Sequence, residues 1–298
     1  MRVNPNFTAD LSGYIDQAQQ SVNNETEELS TGRRVNLPSD DPAAEAEMIE
    51  ENAQLSSIDD YTSSSNTLTQ SLNTADSTLS SAVTAMQRAL TLATEAGNST
   101  MNPSDLSSIL SEVQGIQAQM ISLANTSFAG EYLFGGTATG SPPYVVDAAN
   151  PDQVDYVGND QQNSVQVGTG LSVKANLPGS SIFSQSSGSV FGALQSLISA
   201  LKSGDSTAIQ SASTQIGTAL NALDTARVFY GNTVNQLTDN ENFLNQEKLN
   251  VTSEENSLVS ADTATVATEL SQSQTTLQAT VEAAAQVDQE ANLLNYLH

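Results

Sequence analysis

The sequence predicts a mainly α protein: a long, coiled-coil-like helical rod formed by the N- and C-terminal segments, carrying a small β-rich inserted domain. Three observations predict this class. Apolar residues recur at three- and four-residue intervals from Leu11 to Leu123, and again from Phe191 to Leu294. Within the second stretch, Ile209, Ile216, Leu223, Tyr230, Leu237, Leu244, Val251 and Leu258 keep a strict seven-residue step. Between the two, residues 131–186 change to short runs rich in β-branched and aromatic residues, punctuated by Gly, Pro and Asn.

Leu11, Ile15, Ala18, Val22 and Leu29 form the first stripe, with Glu25 at the position that would complete it. The spacing predicts a helix of about 22 residues, roughly 33 Å long. It carries too little apolar surface to stand alone in water, so it requires a partner helix. The segment Leu29–Pro42 (LSTGRRVNLPSDDP) breaks the pattern. Gly32 can end the helix, Pro38 pushes Leu37 towards an extended conformation, and Asp41-Pro42 reads as an N-cap followed by Pro at the first helical position. A second helix is expected from Pro42 to about Ala96, striped by Leu68, Leu72, Ala75, Leu79, Ala82, Met86, Ala89 and Ala93 and stopped by Gly97. Asn102-Pro103-Ser104-Asp105 restarts with a cap, and Leu106, Ile109, Val113, Ile116, Met120 and Leu123 mark a third helix.

The β-rich part offers Glu131–Gly136, Pro142–Val146, Val154–Gly158, Val165–Gly168 and Leu171–Lys174 as extended runs, with no strand order legible. Phe191, Leu194, Ile198 and Leu201 resume the helical spacing up to Gly204. The seven-residue repeat that follows predicts one helix of roughly 75 Å. Its register slips near Ser260-Ala261-Asp262, and a last stripe runs through Val266, Leu270, Leu277, Thr280, Ala284, Val287, Ala291 and Leu294. The expected organisation is therefore 1–41, N-terminal helix and connector; 42–130, first part of the rod; 131–186, β-rich outer domain; 187–259, second part of the rod; and 260–298, C-terminal helix. The two ends are expected to pair, because a rod with its insertion at the far turn brings both termini together.

Composition narrows function. Of 298 residues, 34 are acidic and 8 are Lys or Arg, for a net charge of −26. That balance argues against nucleic acid and anionic membranes as partners, since both need a concentrated basic face. No Cys is present and the one His, His298, is terminal, so thiolate chemistry and His relays lose their central part. No stretch approaches the roughly 18 apolar residues of a membrane span. The first residues lack the apolar core of a secretory signal peptide. Hydrophobic residues make up 38%, low enough for disorder were they not strictly periodic.

Candidate chemistry is sparse. Asp40-Asp41, Asp59-Asp60 and the scatter Asp147, Asp152, Asp155 and Asp160 show no calcium-loop spacing, and Asp41 is accounted for as a cap. Gly135-Gly136 lacks the spacing of a nucleotide loop. Tyr132, Phe134, Tyr144 and Tyr156 read as the core of the β insert rather than a ligand cage. We expect no enzyme, metal or cofactor.

Leu29–Pro42 followed by Ala43-Ala44 resembles the N-terminal signature of bacterial flagellins and their relatives, and Ser260-Ala261-Asp262-Thr263-Ala264 with Leu270, Gln274 and Leu277 resembles the C-terminal one. Leu123-Ala124-Asn125 through Gly130, Tyr132–Thr137, Pro142-Pro143-Tyr144, Tyr156-Val157-Gly158 and Asn176–Gly179 resemble the hook-associated protein 3 family, junction proteins between hook and filament, rather than flagellin itself. Asn292–Leu297 fits the same family's end. The resemblance implies a coaxial core built from both termini, export through the flagellar type III channel without a cleaved signal, and an extracellular place in the flagellum. It implies as partners further copies of itself, hook-associated protein 1, flagellin and an export chaperone.

Two readings of the terminal stripes stay open: a helix pair private to the chain, or an intersubunit core. Small residues at Ala18, Thr280, Ala284 and Ala291 favour the second by permitting close packing of several helices. The expected assembly interface is thus Leu11, Ile15, Ala18, Val22, Leu29, Val266, Leu270, Leu277, Ala284, Val287, Ala291 and Leu294. The connector Gly32, Arg33, Arg34, Asn36, Asp40, Asp41 and Pro42 joins it. Arg33 and Arg34 are either solvated or bridge to acidic residues of a neighbouring subunit, and Gly32 and Asn36 are turn-formers.

Overall fold

The structure, a computed structural model, describes residues 7–98, 102–185 and 188–296, with side chains described between Asp10 and Gln286. The chain is mainly α with a small strand-containing region between its helical parts. The elements in order are α1 (Phe7–Thr31), α2 (Pro42–Ala96), α3 (Pro103–Ala124), β1 (Ser127–Phe128), β2 (Glu131–Tyr132), β3 (Tyr144–Val146), β4 (Val154–Tyr156), β5 (Ser164–Gly168) and β6 (Leu171–Lys174). Four helices complete it: α4 (Gly179–Ile182), α5 (Val190–Ser203), α6 (Ser206–Val259) and α7 (Thr263–Tyr296). Two compact units result, one from residues 1–56 with 247–298, the other from 57–246.

The larger unit owes its core to the stripes. On α2, Leu72, Leu79, Ala82, Met86 and Ala89 are fully buried; α3 contributes Val113 and Met120, and α6 contributes Ile216, Leu223 and Tyr230. Helix α5 packs on α3 and buries Leu194, Leu197 and Ile198. Helix ends follow local chemistry. The Asn102 side chain accepts from Asp105 N–H at 2.9 Å, Ser189 Oγ accepts from Gly192 N–H at 3.0 Å, and Gly204 closes α5 at φ +68°.

The strands form three separate antiparallel pairs, β1–β2, β3–β4 and β5–β6. β1 precedes the first run read as extended. It is made possible by a turn in which Ala129 (φ 52°) and Gly130 (φ 88°) both take left-handed conformations, a sequence without the usual Asn-Gly or Asp-Gly signal. Side-chain amides replace the missing ladders. Asn125 mimics a strand neighbour, donating to the Tyr144 carbonyl at 2.8 Å and accepting from its N–H at 2.9 Å. Asn176 accepts from Asn163 N–H and donates to the Gly136 carbonyl, both at 2.9 Å.

Gly136 sits at φ +71°, where a Cβ would overlap Asn159, and Gly179 presses against Tyr144, so a side chain fits at neither. The Tyr132–Thr137 and Asn176–Gly179 segments thereby lock together, Gly179 N–H donating to the Phe134 carbonyl at 2.7 Å. Phe134 and Tyr144 are buried against Phe183 and Phe191, with Phe134 edge-on to Phe183 at 5.3 Å. Tyr156 is half-buried beside Tyr144, and Tyr132 is half-buried at the hairpin surface.

Candidate assembly site

In the smaller unit α1 lies antiparallel to α7. Ser273 Oγ donates to Glu25 Oε1 at 2.8 Å, while Glu28, one turn further on, faces Glu269, one turn back. The facing stripes are Leu11, Ile15, Ala18 and Val22 on one side and Leu270, Leu277, Thr280 and Ala284 on the other. All of these are only half-buried. Val266, next to the connector, is buried at 5% exposure, whereas Leu29 is 39% exposed. Tyr14 and Val281 point outward, and a groove of about 470 Å³ lies between Tyr14 and Thr276, Ala279, Thr280 and Ala283. Val287, Ala291 and Leu294 belong to α7 but lie outside the described side chains.

The connector folds as one compact turn against the α6–α7 junction. Gly32 takes φ +68°, its N–H donates to the Glu28 carbonyl at 2.8 Å, and its carbonyl accepts from Ala261 N–H at 2.9 Å. Arg34 N–H donates to the Val259 carbonyl at 2.7 Å, and Arg33 bridges Ser260 in antiparallel fashion. Asp40 Oδ2 accepts from the N–H groups of Asn36 and Leu37, and Asn36 donates to the Arg33 carbonyl. Asp41 Oδ1 caps α2 by accepting from Ala43 and Ala44 N–H, with Pro42 exposed in the first turn. Val35, Ala44 and Val259 close a small core beneath, flanked by Met48 and Leu258.

Electrostatically, Arg34 is spent inside the chain, paired with Asp41 at 3.1 Å and donating to the Leu258 carbonyl at 3.0 Å. Arg33 donates to Met48 Sδ, and its Nε is buried without a partner. The cap bond from Ala44 and then the Arg34 guanidinium hold the Asp41 carboxyl below its ordinary range. Asp262, capping α7, is held low by Thr265 Oγ1 and then by Ala264 N–H. Burial followed by the charges of Glu269 and Glu25 pushes Glu28 upward. Among the described residues no group of three His, Cys, Asp or Glu is placed to hold a metal ion, and no helix is long and apolar enough to cross a membrane.

The two segments joined in this turn carry family signatures. The bacterial flagellin N-terminal helical region matches residues 5–139, and the bacterial flagellin C-terminal helical region matches residues 213–297. The chain belongs to the flagellin family. A flagellar hook-associated protein 3 of Escherichia coli is 29% identical over 282 residues, spanning 86% of this chain and 87% of that protein. The fold is shared with a flagellar hook-associated protein of Vibrio parahaemolyticus (TM-score 0.69, 19% identity, 74% of this chain and 100% of that one). It is also shared with Xanthomonas campestris FlgL (TM-score 0.62, 19% identity, 69% and 99%).

Against that background the sequence-derived residues fall into two groups. Gly32, Arg33, Arg34, Asn36, Asp40 and Asp41 come together at the connector, and Leu11 to Val22 meet Leu270 to Ala284 along the helix pair. Val35, Met48 and Val259 were not legible as partners of the connector. Val259, not the heptad residue Leu258, is the buried one, because α6 ends there and the chain turns. The carboxylates Glu25, Glu28 and Glu269 were also missed as a group. The one signal was Glu25 at an apolar stripe position.

Proposed function

We propose that this chain is a structural, non-enzymatic subunit of the bacterial flagellum, forming the junction between the hook and the filament. The observation that carries the reading is the α1–α7 pair: an amphipathic stripe that is folded yet only half covered, in a chain matched nearly end to end by a hook-associated protein 3. A surface of this kind gains stability when copies pack together, and that gain offsets the entropy of ordering the terminal helices. The naming of these relatives favours the junction over a place in the filament proper.

In this reading further copies of the chain complete the terminal core, hook-associated protein 1 binds on the hook side, and flagellin adds on the other. The subunit passes unfolded through the flagellar type III channel without a cleavable signal peptide, its C-terminal part carried by an export chaperone, and functions extracellularly. A chain without Cys suits that route, since no disulfide can lock it beforehand. Cells lacking the chain should build hooks and release flagellin into the medium; filaments of normal length on such cells would refute the junction role. Removing residues 1–30 and 264–298 should leave a helical, monomeric protein that no longer assembles. Assembly by that truncated chain would show that the terminal pair is not the interface.

A further inference from the structure

We propose that the helix pairs of the smaller unit act as an acid-tightened clasp, closing more firmly under mildly acidic conditions than at neutral pH. Two interfaces carry the device. Between α1 and α7, Glu25 and Glu28 face Glu269, with Arg34 and Asp40 at the connector end. Glu25 Oε1 accepts from Ser273, but Oε2 is buried with no partner. Between the start of α2 and the end of α6, Glu47 and Glu51 face Glu254 and Glu255, and Glu51 Oε2 is again buried with no partner. Gln54 donates to Glu247 one turn along at 3.1 Å, and Lys248 follows it on α6. Arg34, the cation facing Glu28, is engaged by Asp41 and the Leu258 carbonyl.

Folding therefore brings like charges together at both interfaces and buries the Glu51 Oε2 oxygen without a donor, which disfavours the ionised forms of Glu28 and Glu51. Glu28 is raised above its ordinary 4.5 by burial, then by Glu269 and Glu25. Glu51 is raised by partial burial, then by Glu254, Glu255 and Glu47. A carboxyl whose folded value exceeds its unfolded one destabilises the fold wherever it is ionised. Stability accordingly rises as pH falls through the folded value towards 4.5. The caps set the opposite limit. Asp41 and Asp262 are held below 3.8, so their contribution is present above that value and lost as pH falls beneath it. The clasp is thus tightest between the titration of its two caps and that of its two raised glutamates. The inference rests on this unit's geometry and stands independently of the junction role.

Amide hydrogen exchange on the full chain at low salt, with rates corrected for intrinsic chemistry, tests it at about pH 4.5, the ordinary glutamate value, and about pH 7.5. Protection in residues 10–31 and 263–286 should rise several-fold at the lower pH, while residues 206–246 stay unchanged. Glu28→Gln and Glu51→Gln should each raise protection at the higher pH and flatten the response. Flat or falling protection on acidification, or Gln variants no more protected than the parent, would overturn the proposal. Should a variant lose helicity, the parent chain decides through salt. Screening at about 1 M NaCl should recover part of the acid effect, and no recovery counts against the clasp.

Discussion

The larger unit and the α1–α7 pair are built from the same kind of apolar spacing, yet they bury it to different depths. Leu72, Leu79, Met86 and Leu223 are fully enclosed, whereas Leu11, Ile15, Val22 and Leu277 are half-covered and Leu29 is 39% exposed. Several layers close over the first set: α2, α3, α5 and α6 share one core with the aromatic hairpin residues. The second set has one partner helix. Periodicity identifies the face of a helix that wants cover; the number of helices available decides how much it receives. A stripe left half-covered inside one chain is the kind of surface that the proposed assembly would complete.

The largest effect that can break this contrast is truncation on each side of it. Leu79→Ala or Leu223→Ala should cost about 2–5 kcal/mol in urea unfolding, as for fully enclosed leucines. Ile15→Ala should cost about 1 kcal/mol or less in the monomer and instead impair assembly. Equal costs would erase the difference between the regions.

Next in size is Asn125, whose side chain holds the Tyr144 backbone from both sides. Asn125→Ala leaves that N–H and carbonyl unpaired and should cost about 1–3 kcal/mol, with the β3–β4 hairpin losing exchange protection first. A hairpin as protected as before would show that the amide is dispensable. The smallest effect belongs to Ser65, 2% exposed on α2 with its hydroxyl unpartnered. Ser65→Ala should be neutral or stabilise by up to about 1 kcal/mol in the same urea measurement, and a clear loss would reveal a partner for that hydroxyl.

Helix limits were legible wherever local chemistry sets them. Asp41-Pro42 and Asn102-Pro103 start helices because a side-chain oxygen and a missing N–H answer the orphan donors of the first turn. Gly32 and Gly204 end them because each takes a left-handed conformation. β1 was not legible, since Ala129 adopts a backbone that its residue type seldom signals. The short α4 was hidden for another reason: its four residues, Gly179–Ile182, are too few to show a helical period, and its place depends on Tyr144 and Phe134 pressing on Gly179. The partners of Arg34, Asp41 and the Leu258 carbonyl, also escaped, because the carbonyl lies 224 residues away in the chain.

The sequence by itself determined the helical periods, the caps and stops, the excess of negative charge and the family signatures at both ends, because all of these depend on residues near one another in the chain. Only the tertiary structure decided which stripes are enclosed and which stay half open, that the hairpins remain three separate pairs stitched by Asn side chains, and that the glutamates of distant helices face each other. Burial and electrostatic repulsion depend on what lies across an interface, and spacing along one strand of polypeptide carries no record of that.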